Sequence, residues 1–276
     1  MGKALICPVC TSDMAMRKEW LWRCGACGFL FSTLSADAGT GVEGLEALRR
    51  MNFETLLDRL EQLSPLAGKT LLEVGCSTGL FLDAANRRGA KVVGIEPEKE
   101  KAVQARSKGF DVIEGFFPDS LSEGQTFDVI VFNDVFEHLP DPAAAMGFCK
   151  KCLNPEGLLV LNLPDSNGML YFIANILDRL GMDGPLNRLW QKDFASPHIS
   201  YFNGGNLKKL AEARDDFKLV HQSSLKAMTM EGLKDRINSS VSGGVQRLIT
   251  YSGLMILVPL QQILPSDILL QIYKRN

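Results

Sequence analysis

The stretch from Leu71 to Gly79 constrains the fold more than any other part of the sequence, because it joins an apolar run, a small-residue turn and a helix start. It reads Leu-Leu-Glu-Val-Gly-Cys-Ser-Thr-Gly and continues into Leu-Phe-Leu-Asp-Ala-Ala. This order predicts a buried strand, a tight turn and an amphipathic helix that packs back on the strand. Gly75 and Gly79 let the backbone approach a ligand closely, and the helix start offers free N–H groups. The stretch therefore predicts a ligand-binding loop of the nucleotide type.

The spacing of the loop points to a particular family. The second glycine of the Gly-x-Gly-x-x-Gly fingerprint is absent, and so is the Lys-Ser/Thr pair of a P-loop. With Glu73 two residues ahead of Gly75, the pattern Glu-x-Gly-x-x-x-Gly resembles motif I of the class I S-adenosylmethionine-dependent methyltransferases. The resemblance assigns Glu73, Gly75, Cys76, Ser77 and Gly79 to the cofactor. Ser77 replaces the family's usual middle glycine and is small enough to keep the loop; the alternative is a βα turn without a cofactor.

A second strand is predicted from Ala90 to Pro97, and it carries the acid Glu96 near its end. A carboxylate at this strand end, about twenty residues beyond the glycine turn, can accept hydrogen bonds from both ribose hydroxyls. Glu96 and Pro97 are therefore assigned to the ribose of the cofactor. An acid at a strand end is common, so the assignment depends on its combination with the loop.

The third predicted strand covers residues 110–117. The family that the sequence resembles usually has a polar side chain just after this strand, where it holds the adenine amino group. Gly115 and Phe116 occupy that place here. Backbone groups are therefore expected to read the adenine edge, and Phe116 or Phe117 to cover the ring.

The fourth strand ends at Asn133 and leads into Glu137-His138-Leu-Pro-Asp-Pro. This segment is similar to the Glu-His-hydrophobic-x-Asp-Pro signature of methyltransferases that act on quinones, sugars and other small acceptors. The resemblance places Asn133 beside the methionine part of the cofactor and Glu137-His138 at the start of a helix bordering the active site. His138 is a candidate catalytic residue; its alternative role is to fix this turn.

An insertion of about 165–203 is longer than a crossover between strands needs, and much of it is apolar. At the carboxyl edge of the sheet it is expected to form a lid over the acceptor pocket, with core packing or contact with a membrane or lipid as other uses of its apolar face. It closes with Pro-His198-Ile-Ser-Tyr-Phe, which resembles the His-hydrophobic-x-Tyr/Phe-Phe segment of many relatives. His198 is the leading candidate to contact or deprotonate the acceptor, against a hydrogen-bonded structural histidine.

Four of the seven cysteines form two C-x-x-C pairs separated by thirteen residues: Cys7, Cys10, Cys24 and Cys27. Two such pairs complete a tetrahedral site, which predicts structural zinc, with a redox dithiol pair as the alternative. Four thiolates leave no open coordination position for catalysis. An alternating segment between the pairs makes residues 1–34 a zinc ribbon that depends on its metal. Trp20 and Trp22 within it are expected to pack against the core rather than stack on a base.

Strands and helices alternate from Lys69 onward, which indicates a parallel sheet covered on both faces. The predicted organisation is a ribbon, a linker with an amphipathic helix over 35–66, and a methyltransferase domain over 67–276. Phe217–Val220 and residues 267–273 are predicted as the sixth and seventh strands, the last forming an antiparallel edge, and 248–264 as a core helix. The fold class is therefore α/β, with a Rossmann-like seven-stranded sheet, helices on both faces and a small N-terminal zinc ribbon.

Composition excludes little. Hydrophobic residues make up 46% and charged residues 22%, and the net charge is −2, so the total charge does not point to nucleic acid. The first residues run into the cysteine motif without an apolar h-region, so a cytoplasmic location is expected.

The predicted function is S-adenosylmethionine-dependent methylation of a small-molecule acceptor such as a quinone, sugar or lipid-linked intermediate, with peripheral membrane contact as a further expectation. An RNA or protein methyltransferase that grips its substrate with the ribbon is the alternative, and it predicts a basic face running from the ribbon to the pocket mouth. A cofactor-binding scaffold without catalysis is the third. The sequence does not specify the acceptor atom or the oligomeric state.

Overall fold

Two sheets organise the part of the chain that the computed structural model describes, which is residues 5–35, 46–228 and 264–276. The small sheet begins with four short antiparallel strands in chain order: β1 Leu5–Ile6, β2 Asp13–Lys18, β3 Leu21–Cys24 and β4 Leu30–Ser32. The first cysteine pair follows β1, and the second spans the end of β3 and the turn after it. The ribbon predicted from the cysteine spacing thus has the hairpin geometry that brings its two turns together.

The rest of the described chain alternates helices and strands. In order these are α1 Glu46–Leu63, β5 Thr70–Val74, α2 Leu80–Arg87, β6 Lys91–Glu96, α3 Lys99–Ser107, β7 Asp111–Glu114, β8 Phe127–Asn133, a 3-10 turn Phe136–His138, α4 Pro142–Cys152, β9 Leu153–Pro164, α5 Met169–Arg179, α6 Gly184–Leu189, β10 Ser200–Tyr201, α7 Gly204–Glu212, β11 Phe217–Leu225 and β12 Ile268–Arg275.

The large sheet has the strand order β11-β12-β9-β8-β5-β6-β7, so the predicted seven-stranded α/β sheet is confirmed. Strands β5 to β9 pair in parallel, and β12 is antiparallel to both of its neighbours. The predicted position of this antiparallel strand is wrong, because it lies second from the edge and β11 forms the edge. The reason is burial: residues 269–273 of β12 are all buried, whereas β11 alternates with exposed polar residues and suits the edge.

The two faces of the large sheet are covered differently. Helices α1 and α2 cover one face, with Leu56, Leu57, Leu60 and Phe81 in its apolar core. The other face is covered by α4, α7 and the ribbon, because Cys7, Val9, Met14, Cys24 and Phe29 belong to the same apolar cluster as the sheet residues. The ribbon therefore takes the place that a packed helix usually has in this class of fold.

The ribbon is also joined to the rest of the chain by backbone pairing. Strand β10, which follows His198, pairs antiparallel with β4 and adds a fifth strand to the small sheet. The Phe29 ring packs on Phe202 with centroids 5.0 Å apart. Trp20 meets Trp190 of the insertion edge to face at 5.7 Å. The ribbon and the insertion therefore form one packed unit.

Three local predictions differ from the structure. Strand β7 ends at Glu114, ahead of Gly115 with its φ of 141°, so the two phenylalanines after it are outside the strand. The Glu137-His138 pair lies in the 3-10 turn, and α4 begins only at Pro142, where the Asp141 side chain accepts the N–H of Ala144 as an N-cap. The Asn-Pro-Glu-Gly run at 154–157 predicts a turn before the fifth strand, but these residues are part of β9, whose pairing with β8 shifts between Leu153 and Leu158.

The insertion consists of α5, α6 and β10. Helix α5 buries Met169, Tyr171 and Ala174. Its other face leaves Phe172, Ile176 and Leu180 exposed at 65%, 42% and 69% of their surface. Core packing therefore accounts for only one side of this helix.

Two predictions fall outside the described residues. The linker lies largely in 36–45, and the core helix predicted for 248–264 lies almost wholly in 229–263. Among the residues that are described, no helix combines the length and the apolar character that crossing a membrane requires.

Candidate active site

The loop after β5 has the backbone that its glycines were expected to provide. Gly75 and Gly79 have φ values of 73° and 80°, and a Cβ on Gly75 would lie 2.5 Å from Val135 Cγ2. Ser77 also has a positive φ, 49°, which costs a non-glycine residue about 1–2 kcal/mol. Its N–H donates to Glu96 Oε2 at 2.8 Å, a charge-assisted hydrogen bond that offsets the strain. The serine therefore keeps the loop conformation.

Cys76 holds this loop in its conformation through two backbone hydrogen bonds. Its N–H donates to the carbonyl of Ile95 at 3.0 Å, and its own carbonyl accepts the N–H of Gly79 at 2.9 Å. The side chain is buried against Gly94, where an added Cβ would lie only 2.4 Å from Sγ. The thiol thus faces the core, and Cys76 holds the loop in place through its backbone.

Glu96 is fixed at the end of β6. One carboxylate oxygen accepts the Ser77 N–H, and the other accepts the N–H of Glu98 at 2.9 Å. Burial raises the pKa of Glu96, and these two N–H groups act in the opposite direction. Each oxygen retains a second lone pair, so the carboxylate is held ready to accept two further hydroxyl donors. Pro97 follows it, half-buried.

A buried polar network crosses the carboxyl ends of three neighbouring strands. Glu73 Oε1 accepts from Asn133 Nδ2 at 3.0 Å, and Asn133 Oδ1 accepts from Asn162 Nδ2 at 3.3 Å. Glu73 Oε2 and Asn162 Oδ1 are buried without a hydrogen-bond partner among the described residues. Asn162 was not singled out from sequence, although strands β8 and β9 both carry an asparagine at the paired position.

Glu73 is a buried carboxyl group that can pair with a cation. Burial raises its pKa to about 8, with Glu96 adding to the effect and the Asn133 amide opposing it. The charge of Arg49 on α1 lowers the pKa of both Glu73 and Asp134, so this arginine lies near both carboxyl groups. Arg49 was not found from the sequence, because nothing local distinguishes it from the other cations of α1. An orphaned buried carboxylate fits the positively charged methionine end of S-adenosylmethionine.

The two phenylalanines after β7 have different environments. Phe117 is buried and packs edge to face on Phe132 with centroids 5.4 Å apart. Phe116 is 58% exposed beside the carboxyl edge of the sheet. Phe116 is therefore the ring available to cover a planar ligand.

The structure brings both candidate histidines together, with ring centroids 4.8 Å apart. His138 Nδ1 lies 2.9 Å from the carbonyl of Pro197, so Nδ1 carries the proton and Nε2 is free to accept. His198 Nε2 lies 2.9 Å from Gln191 Nε2, while His198 Nδ1 is buried without a partner among the described residues. Burial lowers both pKa values, so both imidazoles are neutral at pH 7.

Glu137 completes this group, although sequence reasoning assigned it no chemistry. Both carboxylate oxygens are buried without a hydrogen-bond partner in the described part of the chain, and Oε1 lies 3.9 Å from His198 Nε2. Burial raises the pKa of Glu137 well above its usual value, and the Asp134 charge adds to this. Glu137, His138 and His198 offer ligand atoms within 4.8 Å of one another. This arrangement can share a proton or hold a divalent cation.

The four ribbon cysteines converge on one point. The Sγ atoms of Cys7 and Cys27 are 3.6 Å apart, those of Cys10 and Cys24 are 3.4 Å apart, and all four lie within 4.8 Å of one another. Tetrahedral zinc with bonds of about 2.3 Å requires sulfur atoms about 3.8 Å apart. The donors therefore fit a structural zinc ion. Cys149 and Cys152 lie in α4, and Cys149 is buried.

Comparison with known proteins identifies one family for the part of the chain that follows the ribbon. The profile of the family described as "Methyltransferase domain" matches residues 48–222. Ubiquinone biosynthesis O-methyltransferase of Hahella chejuensis is 30% identical over 127 residues, covering 43% of this chain and 52% of the relative. The enzyme of the same name from Actinobacillus pleuropneumoniae is 35% identical over 132 residues, covering 44% and 56%. The chain spans about half the length of the curated relatives it matches.

Solved structures show the same fold at low identity. A putative sarcosine dimethylglycine methyltransferase from Galdieria sulphuraria superimposes with a TM-score of 0.55 at 15% identity, covering 87% of this chain and 93% of that one. The plantazolicin methyltransferase BpumL in complex with SAH superimposes with a TM-score of 0.54 at 14% identity, covering 84% and 85%.

Proposed function

The chain belongs to the family of S-adenosylmethionine-dependent methyltransferases, and on this premise we propose that it methylates a hydroxyl oxygen of a small-molecule acceptor such as a quinone, sugar or lipid-linked intermediate. The curated relatives are named O-methyltransferases, which supports oxygen as the acceptor atom. The observation that carries the proposal is the pair of buried, neutral histidines, His138 and His198, whose ring centroids lie 4.8 Å apart.

The cofactor residues divide the binding work along the sheet edge. Glu96 accepts hydrogen bonds from the ribose, Phe116 covers the adenine, and Glu73 with Asn133 binds the cationic amino group. Arg49 is in place to pair with the carboxylate. When bound, S-adenosylmethionine supplies a methyl group on a positively charged sulfur. An acceptor oxygen attacks this methyl carbon directly, and the sulfur leaves as the neutral thioether of S-adenosylhomocysteine.

The histidine pair prepares the acceptor. A hydroxyl is a poor nucleophile until its proton is removed, and a neutral imidazole can take that proton at pH 7. His198 serves as the base, and Glu137, whose Oε1 lies 3.9 Å from His198 Nε2, is placed to share the proton that the imidazole takes up. His138 is oriented by the Pro197 carbonyl and forms the neighbouring wall. The apolar insertion excludes water from this step.

Structural zinc belongs to the same proposal. Four converging cysteines without open coordination positions give a site for folding rather than catalysis. The zinc would fix the ribbon against the sheet and against β10, which begins two residues after His198.

The proposal is tested by transfer of a labelled methyl group from S-adenosylmethionine into a lysate of the source organism, separated into RNA, protein, lipid and small molecules. Label is expected in lipid or small molecules and should disappear with Glu96→Ala. His198→Asn should keep S-adenosylhomocysteine binding and lose transfer. The matched control is His221→Asn on the edge strand β11, which should keep both.

Two outcomes contradict the proposal. Label recovered in RNA or protein would support the alternative in which the ribbon grips a macromolecule. Equal transfer by the His198 and His221 variants would remove the role assigned to His198.

A further inference from the structure

A pocket of about 270 Å³ lies between the ribbon and the insertion, apart from the cofactor residues. Strands β2, β3 and β4 form one side, and α5 and α6 form the other. Its charged and buried polar lining is Arg17, Lys18, Arg23, Asp178, Arg179 and Tyr171. No role assigned so far uses this pocket.

The charge of the pocket is strongly positive. Among the described residues that line it, the one acid is Asp178, which pairs with Lys18 at 2.5 Å. No ion pair is found for Arg17, Arg23 or Arg179 among the described residues. The chain as a whole has a net charge of −2, so this concentration of cations is local. The three arginines are exposed, and their guanidinium groups line one cavity, where the chemistry suits an anion.

The pocket also has a buried hydrogen-bond donor. Tyr171 is only 6% exposed, lines the cavity, and its hydroxyl has no hydrogen-bond partner in the described part of the chain. Burial raises its pKa to about 12, while the neighbouring Trp190 and Asn175 side chains and, to a smaller extent, Arg23 and Arg17 act in the opposite direction. The hydroxyl therefore keeps its proton at pH 7 and is near both arginines.

The pocket and the histidine pair share an aromatic wall. Tyr171 packs on Tyr201 at 4.8 Å, and Tyr201 packs on His198 at 5.4 Å. Leu30, which lines the pocket, pairs with Tyr201 between β4 and β10. The pocket is thus separated from the proposed base by two stacked aromatic side chains, Tyr171 and Tyr201.

We propose that this pocket binds the phosphate or diphosphate group of the acceptor. Arginine forks and a tyrosine O–H match the many acceptor oxygens of that group. A single cavity of about 270 Å³ fits one such group, whereas a nucleic acid requires a basic track along its backbone. The proposal rests on the proposed function, since it specifies the chemistry of the same acceptor. Arg179 lies on α5, the helix whose exposed face is formed by the apolar residues Phe172, Ile176 and Leu180. An apolar surface beside the pocket suits a lipid, so the phosphate source is either a soluble compound or a lipid headgroup.

The first test measures binding of inorganic diphosphate to the full, zinc-loaded chain by calorimetry. All three tryptophans of the chain lie in the ribbon or the insertion, so their fluorescence gives a second readout. The variant Arg17→Gln/Arg23→Gln should bind diphosphate at least tenfold more weakly, since a charge-assisted contact contributes about tenfold per arginine. The control Lys91→Gln/Lys218→Gln removes the same charge from exposed strand positions and should bind like wild type.

The second arm uses flotation with vesicles of phosphatidylcholine alone or with phosphatidylglycerol. Binding of diphosphate without vesicle association identifies a soluble phosphorylated acceptor. Association only with phosphatidylglycerol vesicles, lost in the arginine variant, identifies a lipid headgroup. Either result supports the proposal.

Absence of binding in both arms overturns it, and so does equal binding by the arginine and lysine variants. An RNA oligonucleotide that binds more tightly than diphosphate also overturns it. S-adenosylhomocysteine affinity and zinc content are measured on every variant. If the wild type does not bind S-adenosylhomocysteine, the proposed function is refuted. The diphosphate measurement still shows whether the pocket binds an anion.

Discussion

Replacing Glu96 by glutamine tests whether the end of β6 binds the ribose. In the structure its two oxygens accept the N–H groups of Ser77 and Glu98 at 2.8 and 2.9 Å. An amide can accept on only one side, so one of these hydrogen bonds is lost and its position is taken by an NH₂ donor. When the NH₂ side of the amide faces Ser77, the Ser77 N–H has no acceptor there. The hydrogen bond that offsets the positive φ of Ser77 is then lost.

The expected magnitude follows from the charge. A hydrogen bond to a charged group contributes about 1.5–3 kcal/mol, and the variant weakens at least one such bond from a ribose hydroxyl. This corresponds to a loss of roughly 10- to 150-fold in S-adenosylhomocysteine affinity. Isothermal titration with the purified protein measures it, and thermal unfolding checks that the variant is folded.

The matched control is Glu98→Gln, which removes the same charge two residues further along. The Glu98 side chain pairs with Lys101 at 3.1 Å, so its loss should change the affinity by less than about twofold. If Glu96→Gln binds S-adenosylhomocysteine within twofold of wild type, the ribose assignment is wrong.

Three further predictions concern stability. The raised pKa of Glu73 means that its contribution to stability is fully present below about pH 4.5 and is lost as the pH rises through about 8. The unfolding temperature of the cofactor-free protein should therefore fall between about pH 5 and 8, and Glu73→Gln should flatten that fall; an unchanged slope refutes the assignment. The wild type should contain one zinc per chain by atomic absorption, and Cys24→Ala should lose it together with stability; retention of full zinc would contradict a Cys₄ site. Gly94→Ala should destabilise the fold by about 1–3 kcal/mol because its Cβ would overlap Cys76 Sγ, and the second change Cys76→Ala should restore part of the loss in chemical denaturation; no recovery would mean that the contact is not the cause.

Features that depend on neighbouring residues were predicted well from the sequence. The turn after β5, the acid Glu96 and the two C-x-x-C pairs each belong to a short pattern whose geometry is set within a few residues. The strands β5 to β9 follow from apolar runs that a buried parallel strand requires. These patterns predict the sheet and the positions of the loop and of Glu96 at its carboxyl edge.

Features that depend on long-range pairing were not predicted. The Asn162 contribution to the Glu73 network requires knowing that β9 lies beside β8 in register. The pairing of Tyr201 with Leu30 joins segments 171 residues apart in number, and nothing in either segment identifies the other. Arg49 acts on Glu73 from α1. In each case the partner is chosen by the packing of the whole sheet.

The exposed face of α5 shows a different limit. The apolar spacing suggested a broad buried surface, but Tyr171 and Ala174 supply the packing and Phe172 faces outward. Amphipathic periodicity identifies a helix, yet it does not tell which of two apolar faces meets the core.

The central claim is that the chain transfers a methyl group to oxygen on a small molecule. It is tested most directly by incubating the purified protein with the low-mass and lipid extracts of the source organism and S-adenosylmethionine that carries a deuterated methyl group, followed by mass spectrometry and NMR of the labelled product. The account predicts one labelled compound whose new methyl group is bonded to oxygen, and no such product with Glu96→Ala. A methyl group on carbon or nitrogen, or label found only on RNA or protein, would contradict it.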